Sequence, residues 1–362
     1  MNAHHPVCTT VKGHPEFPLC AGWNMTSLDI EDSAQLRAYL TDQQHIERGE
    51  AVEIRPLAGG VSNRTMWLRR ANGDEWVIKQ ALAKLRVQVD WFSDPQRIHR
   101  EAVGLKWLPR FIPPEHVPAL IFEDIPHYIL AMRAVPQPHH NWKSLLLAGE
   151  LDFEHVRQFA SLLAQIHRGS AAHPDELIPL FGDQTFFHTL RIEAYYRFTA
   201  SRHPSAAPFY DALITESSSC RAALVHGDYS PKNVLVYQYR LILLDHEVMH
   251  WGDPAFDIGF SMTHLLSKAH HLAPMRQAFA QAAQHAWHIY NQTLGDVAWR
   301  DGYAARAARH ILACLLARID GRSPLEYLTP ESRAKQRAVV LELIANPPTT
   351  VPDVIAAFTE RL

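Results

Sequence analysis

Asp228 and Asn233 stand five residues apart in LVHGDYSPKNVLV (224–236), and Asp245 follows at the end of RLILLDHE. The flanking runs, Leu224-Val225 before and Val234-Leu235-Val236 after, are aliphatic in the manner of buried strands. The polar residues between them therefore occupy a short loop held by core strands, the setting in which chemistry concentrates. A carboxylate placed there can accept the proton of an attacking hydroxyl. An amide oxygen and a second strand-end carboxylate suit a hard cation such as Mg2+, which takes one or two protein oxygens and fills its shell with phosphate and water. Asp228 alone would also serve as an ordinary turn-stabilising residue. Its neighbours, and two groups far upstream, argue for more.

The upstream groups are Lys79, in the apolar strand pattern WVIKQ, and Glu101, in the helical pattern PQRIHREAVGLKWL. A lysine within an apolar strand must snorkel, pair or meet an anion, and a lysine–glutamate pair is a device for gripping nucleotide phosphates. LAGGVSNRT (57–65) supplies Gly59, Gly60, Ser62 and Asn63 on a turn whose backbone can approach a phosphate, or which is simply a hairpin turn. His226 is expected to pack and hydrogen-bond within the loop, and Lys232 is a minor candidate for reaching a γ-phosphate.

The pattern H-G-D-x-x-x-x-N, then D-x-E twelve residues on, then GDPAFDIGF, resembles the aminoglycoside phosphotransferase/choline kinase family, relatives of the protein kinase fold. The resemblance runs from about residue 50 onward and weakens beyond 270. It implies an α+β, bilobal, protein-kinase-like fold and ATP- and Mg2+-dependent transfer of a γ-phosphoryl group to a small-molecule hydroxyl. By the same resemblance Asp228 is the catalytic base, and Asn233 and Asp245 are the Mg2+ ligands. Lys79 holds the α/β-phosphates, oriented by Glu101, and Arg133 to Val135 form the hinge that meets adenine. Glu247, of the D-x-E, helps with the metal or positions the loop, and Asp257 is a structural residue placed to cap a helix.

The acceptor stays open. VIKQALAKLRV and the D-x-E resemble methylthioribose kinases, whereas the loop asparagine goes with the aminoglycoside-type branch; another sugar, amino alcohol or antibiotic is equally compatible. A polycationic aminoglycoside calls for clustered carboxylates; Asp253 and Glu247 lie near the expected metal, while Asp183, Glu193, Asp211 and Glu216 are dispersed through the preceding segment. Phe186, Phe187, Tyr195, Tyr196 and Trp251 could face a sugar or thioether, or simply fill helix cores. A protein acceptor is disfavoured, because little chain separates Asp245 from Asp257 and no A-P-E follows. A catalytically silent nucleotide-binding scaffold should lack one of Lys79, Asp228, Asn233 or Asp245, and none is missing.

The elements that must position these groups fall into three stretches: a flexible leader over 1–32, with Met25 as a second candidate start; a strand-rich N-lobe over 33–135; and a helical C-lobe over 136–362. Ser33 is expected to cap the first helix. Composition agrees with a globular protein: 362 residues, 47% hydrophobic, 20% charged, net charge −3. Neither a basic excess for nucleic acid nor a membrane-length apolar run occurs, and the start lacks a signal-peptide pattern. Cys8, Cys20, Cys220 and Cys314 show no CxxC spacing, so reduced thiols in a cytoplasmic protein are expected. The oligomeric state is open.

Overall fold

The computed structural model describes residues 28–57, 60–87 and 90–362. Most of the expected leader, Cys8 and Cys20 included, lies outside the described residues, as does Gly59. The chain divides after Glu50. In the first unit, helix α1 (Ser33–Asp42) is capped by Asp32, whose carboxylate accepts from the N–H groups of Ala34 and Gln35 at 2.9 and 3.2 Å. The cap expected at Ser33 thus falls one residue earlier, on a side chain that reaches both orphan donors.

The second unit opens with an antiparallel sheet of β1 (Glu53–Pro56), β2 (Asn63–Arg69), β3 (Glu75–Ala81), β4 (Leu120–Asp124) and β5 (Ile129–Arg133), in the order β1-β2-β3-β5-β4. Lys79 stands opposite Thr65 on β2 and Leu130 on β5, in the middle of the sheet. Strand alternation puts Val77, Lys79 and Ala81 on one face. Helix α2 (Arg97–Trp107) turns Arg97, Ile98, Glu101, Ala102 and Leu105 inward, and through Glu101 it meets that face.

Helices dominate after Arg133. They are α3 (Trp142–Leu147), α4 (Phe153–Ala171), α5 (Pro174–Phe181) and the short α6 (Thr185–Phe187), which runs into a π-helical stretch (His188–Arg197) and α7 (Phe198–Arg202). Next come α8 (Ala207–Ser219), α9 (Ala255–His271), α10 (Arg276–Leu294), α11 (Tyr303–Asp320), α12 (Pro330–Ala345) and α13 (Val351–Glu360). Every residue of α9 from Ala255 to His270 is buried, as befits a helix that is the axis of a bundle rather than one of its faces. No helix among the described residues is long and apolar enough to cross a membrane.

Two small sheets interrupt the helices. One pairs β7 (Ala223–Val225) with β10 (His250–Gly252); the other has the order β6-β8-β9, from β6 (His140–Asn141), β8 (Val234–Tyr237) and β9 (Arg240–Leu243). Val225 pairs with His250 and Val234 with Leu243. The segments 226–233 and 244–249 are therefore tied together at both ends and must run side by side.

Among the helical glycines of the described residues the closest approach is at Gly259 on α9, where an added Cβ would lie 2.3 Å from His310 Cβ and 2.6 Å from its carbonyl carbon on α11. We expect Gly259→Ala to destabilise the protein by about 1–3 kcal/mol through this clash, even after the helix-propensity gain of up to ~1 kcal/mol. Urea unfolding measures it; an unchanged midpoint would mean that α9 and α11 separate freely.

Candidate active site

Segment 226–233 is held from below by one carboxylate. Asp257, fully buried in the first turn of α9, accepts from the backbone N–H of His226 at 2.7 Å and of Gly227 at 2.9 Å, and from His167 Nε2 on α4 at 3.1 Å. Its role differs from the helix cap expected from sequence: it braces the loop, not its own helix. Gly227 sits at φ +76°, and a Cβ there would strike Val248 Cγ1 and carbonyl oxygen at 2.9 Å each, so the position needs glycine twice over. His226 accepts the Asp228 N–H on Nδ1 at 3.2 Å and turns Nε2 to His246 Nδ1 at 3.2 Å. Burial lowers its pKa, with Asp257 and Asp228 opposing, so a neutral ring fits this network and the packing role expected for it.

Asp228 is buried with both oxygens engaged. Arg191 Nη2 lies 2.9 Å from Oδ1; Asn233 Nδ2 donates to Oδ2 at 2.7 Å, and Lys232 Nζ stands 3.4 Å from Oδ2. Burial pushes its pKa up, but Arg191, Lys232 and Asn233 outweigh it and hold the carboxyl well below the usual range. Arg191 is itself fixed, with Nε on the Gly227 carbonyl at 2.6 Å and the guanidinium against the Tyr195 and Phe260 rings at 5.4 and 5.6 Å. It projects from the π-helical stretch, a wide turn of the kind found at functional sites.

Across from Asp228, Lys79 Nζ meets Glu101 Oε1 at 2.7 Å and Asp245 Oδ1 at 3.9 Å. Burial works against the ammonium, yet Glu101 and Asp245 raise its pKa overall; burial raises Glu101, with Lys79 counteracting. Asp245 adopts φ +66°, a strained conformation for a non-glycine residue, and its Oδ1 is buried without a hydrogen-bond donor. Asn233 spends Nδ2 on Asp228, which leaves its amide oxygen as the remaining acceptor.

Glu247 is placed differently. Its Oε2 accepts from Arg97 Nε at 3.2 Å and Asn63 Nδ2 at 3.3 Å, and buried Arg97 also bonds the carbonyls of Ser62 and Leu82. Glu247 thereby ties the D-x-E segment to β2 and α2. The described residues hold no grouping of three or more His, Cys, Asp or Glu placed for a metal. Ser62 and Asn63 serve the same clamp, and Gly60 stands beside Thr65 at the start of β2. In the segment expected to form the hinge, Arg133 and Ala134 commit their N–H groups to Ala119 and Glu75, both at 2.8 Å, and the Arg133 side chain pairs with Asp74 at 3.1 Å.

Three residues escaped the sequence reading: Arg191, Arg97 and Asp257 in its bracing role. Arg97 precedes Glu101 by four residues on α2, an i, i+4 spacing that would have placed both on one face. Arg191 carried no such signal. The candidate acidic residues do not gather: Asp253 is bound to Arg306 at 2.9 Å, Glu216 to Arg309, and Asp183 lies 4.0 Å from Arg100. Phe187, Tyr195, Tyr196 and Trp251 are buried in the core, with Phe186 packed partly against it. Cys220 and Cys314 are free thiols.

Comparison with solved structures gives the same bilobal, kinase-like fold. An amicoumacin kinase in complex with AMP-PNP and Ca2+ aligns over 89% of this chain and 98% of its own (14% identity, TM-score 0.54). A choline kinase from Cryptosporidium parvum aligns over 90% and 100% (11% identity, TM-score 0.52). In sequence, methylthioribose kinase 2 of Oryza sativa subsp. japonica is 27% identical over 267 residues, 65% of this chain and 62% of the relative, and methylthioribose kinase 1 is 27% identical over 244 residues, 60% and 56%. The chain thus spans less than two thirds of the length of these curated relatives. The phosphotransferase enzyme family matches residues 53–299, a range that contains the Lys79 sheet, α2 and both tied loops. With more than half of its length matched, this chain belongs to the phosphotransferase enzyme family.

Proposed function

We propose that this protein is an ATP- and Mg2+-dependent kinase that transfers the γ-phosphoryl group to a hydroxyl of a small molecule. The observation that carries the reading is the convergence of Lys79, Glu101 and Asp245 within 3.9 Å links, beside a loop whose Asp228 is kept ionised. Lys79, braced by Glu101, grips the nucleotide phosphates. Of the hinge residues Arg133 to Val135, the first two have committed their N–H groups, so Val135 has the N–H to offer the purine edge.

Asp228 receives the acceptor hydroxyl as a hydrogen bond and takes its proton as the new O–P bond forms and the bond from the γ-phosphorus to ADP breaks. A carboxylate held this acidic is a weak base, so its first duty is to orient the hydroxyl, which suits a loose, metaphosphate-like transition state. The cation site fits the residues: the orphaned Asp245 Oδ1 and the free Asn233 amide oxygen would hold Mg2+. When bound, Mg2+ neutralises charge on the β- and γ-phosphates. Lys232, half-exposed beside Asp228, would reach toward the γ-phosphate.

The two methylthioribose kinase relatives and the segment VIKQALAKLRV put methylthioribose in the acceptor panel. The scattered, individually paired acids weigh against a polycationic aminoglycoside.

ADP release across a panel of hydroxyl acceptors, with and without Mg2+, tests the reaction. Asp228→Asn is expected to lower kcat by about 10²–10⁴ while ATP affinity changes little. ATP binding without turnover for any acceptor would favour the silent scaffold, and failure to bind ATP would sink the assignment. Glu101→Gln is expected to lower kcat/KM for ATP on the order of 10²-fold by releasing Lys79. An unchanged value would show that Lys79 holds its place without the pair.

A further inference from the structure

The face of α9 that leads away from Asp228 carries a buried lysine without a carboxylate partner. Phe260, against the Arg191 guanidinium, is followed one turn on by His264 and another turn on by Lys268; at 1.5 Å per residue the three span ~12 Å of helix. Lys268 is fully buried, and its ammonium donates to the His264 carbonyl at 3.2 Å. No carboxylate among the described residues lies within ion-pair distance of it. Arg318, buried on α11, donates to the Tyr195 hydroxyl at 3.1 Å and to Ser323, while its Nε is buried without an acceptor. His264 Nε2 is buried and unpartnered too. Tyr327 sets its ring 5.6 Å from the Lys268 ammonium, and Glu326 beside it is bonded to Lys143 instead.

A cation so enclosed is costly unless an anion arrives. Burial lowers Lys268 to about 7, and Lys143 and Arg318 push the same way against Glu326. The cluster is also continuous with the reaction centre: Arg191 and Arg318 flank the same Tyr195 ring, and Arg191 is bound to Asp228.

We propose that Lys268, Arg318, His264 and Tyr327 form an acceptor-side subsite for an anionic group, a carboxylate or phosphate monoester, on the hydroxylated substrate. This deepens the kinase reading and rests on it: the reacting hydroxyl lies at Asp228, and the anion sits beyond Phe260, at the Lys268 end of α9. Choline-like and polyamine acceptors are repelled by the same charges.

Two measurements on the full chain test it. Inorganic phosphate and malonate are titrated calorimetrically, without nucleotide, into the wild type, Lys79→Met and Lys268→Met. The tighter of the two is expected to keep its Kd within threefold in Lys79→Met and to weaken at least tenfold in Lys268→Met. Equal binding to the wild type and Lys268→Met, or none at millimolar concentrations, overturns the subsite. ADP release is then compared for ribose against ribose 5-phosphate and glucose against gluconate. The charged member of one pair is expected to win at least tenfold in kcat/KM, naming the anion, and the ratio to fall toward one in Lys268→Met. Neutral acceptors that match or beat their charged partners overturn the proposal. Anion binding without any turnover sinks the kinase reading and leaves the subsite standing. Lys268→Met removes an uncompensated buried charge, so its melting temperature is expected to hold or rise; a fall of several degrees would make Lys268 a structural residue and overturn the assignment.

Discussion

The loop over 226–233 depends on one buried carboxylate. Asp257 is sealed from solvent, and such an anion is tolerable only with its lone pairs filled by donors. Two of those donors are consecutive backbone N–H groups of the loop, His226 and Gly227, and the third is a histidine from α4. The interaction makes the loop's conformation a condition of burying α9, and α9 is buried along nearly its whole length. Gly227 completes the arrangement, because the backbone that presents two N–H groups to Asp257 passes too close to Val248 for any side chain.

With the loop anchored, the charges at the site sort themselves into pairs. Glu101 has Lys79, Glu247 has Arg97, and Asp228 has Arg191 with Lys232. Asp245 is the exception: its nearest cation, Lys79, stands at 3.9 Å and already belongs to Glu101 at 2.7 Å. A buried carboxylate oxygen in a strained backbone position, with its neighbours' charges already spent, is the one place in this group where a further cation improves the balance. The clamp through Glu247 serves a separate purpose. By joining Arg97, Asn63 and the D-x-E segment, it couples the sheet that carries Lys79 to the loops that carry Asp228 and Asp245, so that these three side chains share one register.

Much of this was legible in the sequence, for local reasons. The aliphatic runs around HGDYSPKN, the apolar strand through Lys79 and the helical pattern through Glu101 depend on neighbours within a few residues, and the elements appeared where those patterns put them. The ends of elements were less secure. Asp32 rather than Ser33 caps α1, because a cap is chosen by which side chain reaches the free N–H groups, a matter of one dihedral angle.

The sequence by itself determined the loop and its motif, the strand that bears Lys79 and the order of sheet and helices, since each follows from the periodicity and chemistry of a contiguous stretch. Tertiary structure alone decided which partners those residues keep. Arg191 reaches Asp228 from 37 positions away, Asp257 reaches back 30 to Gly227, and Arg97 and Glu247 meet across 150. Those pairings are settled by the two small sheets that draw the loops together and by the need of every buried charge for a counterpart, and neither can be read from spacing along the chain.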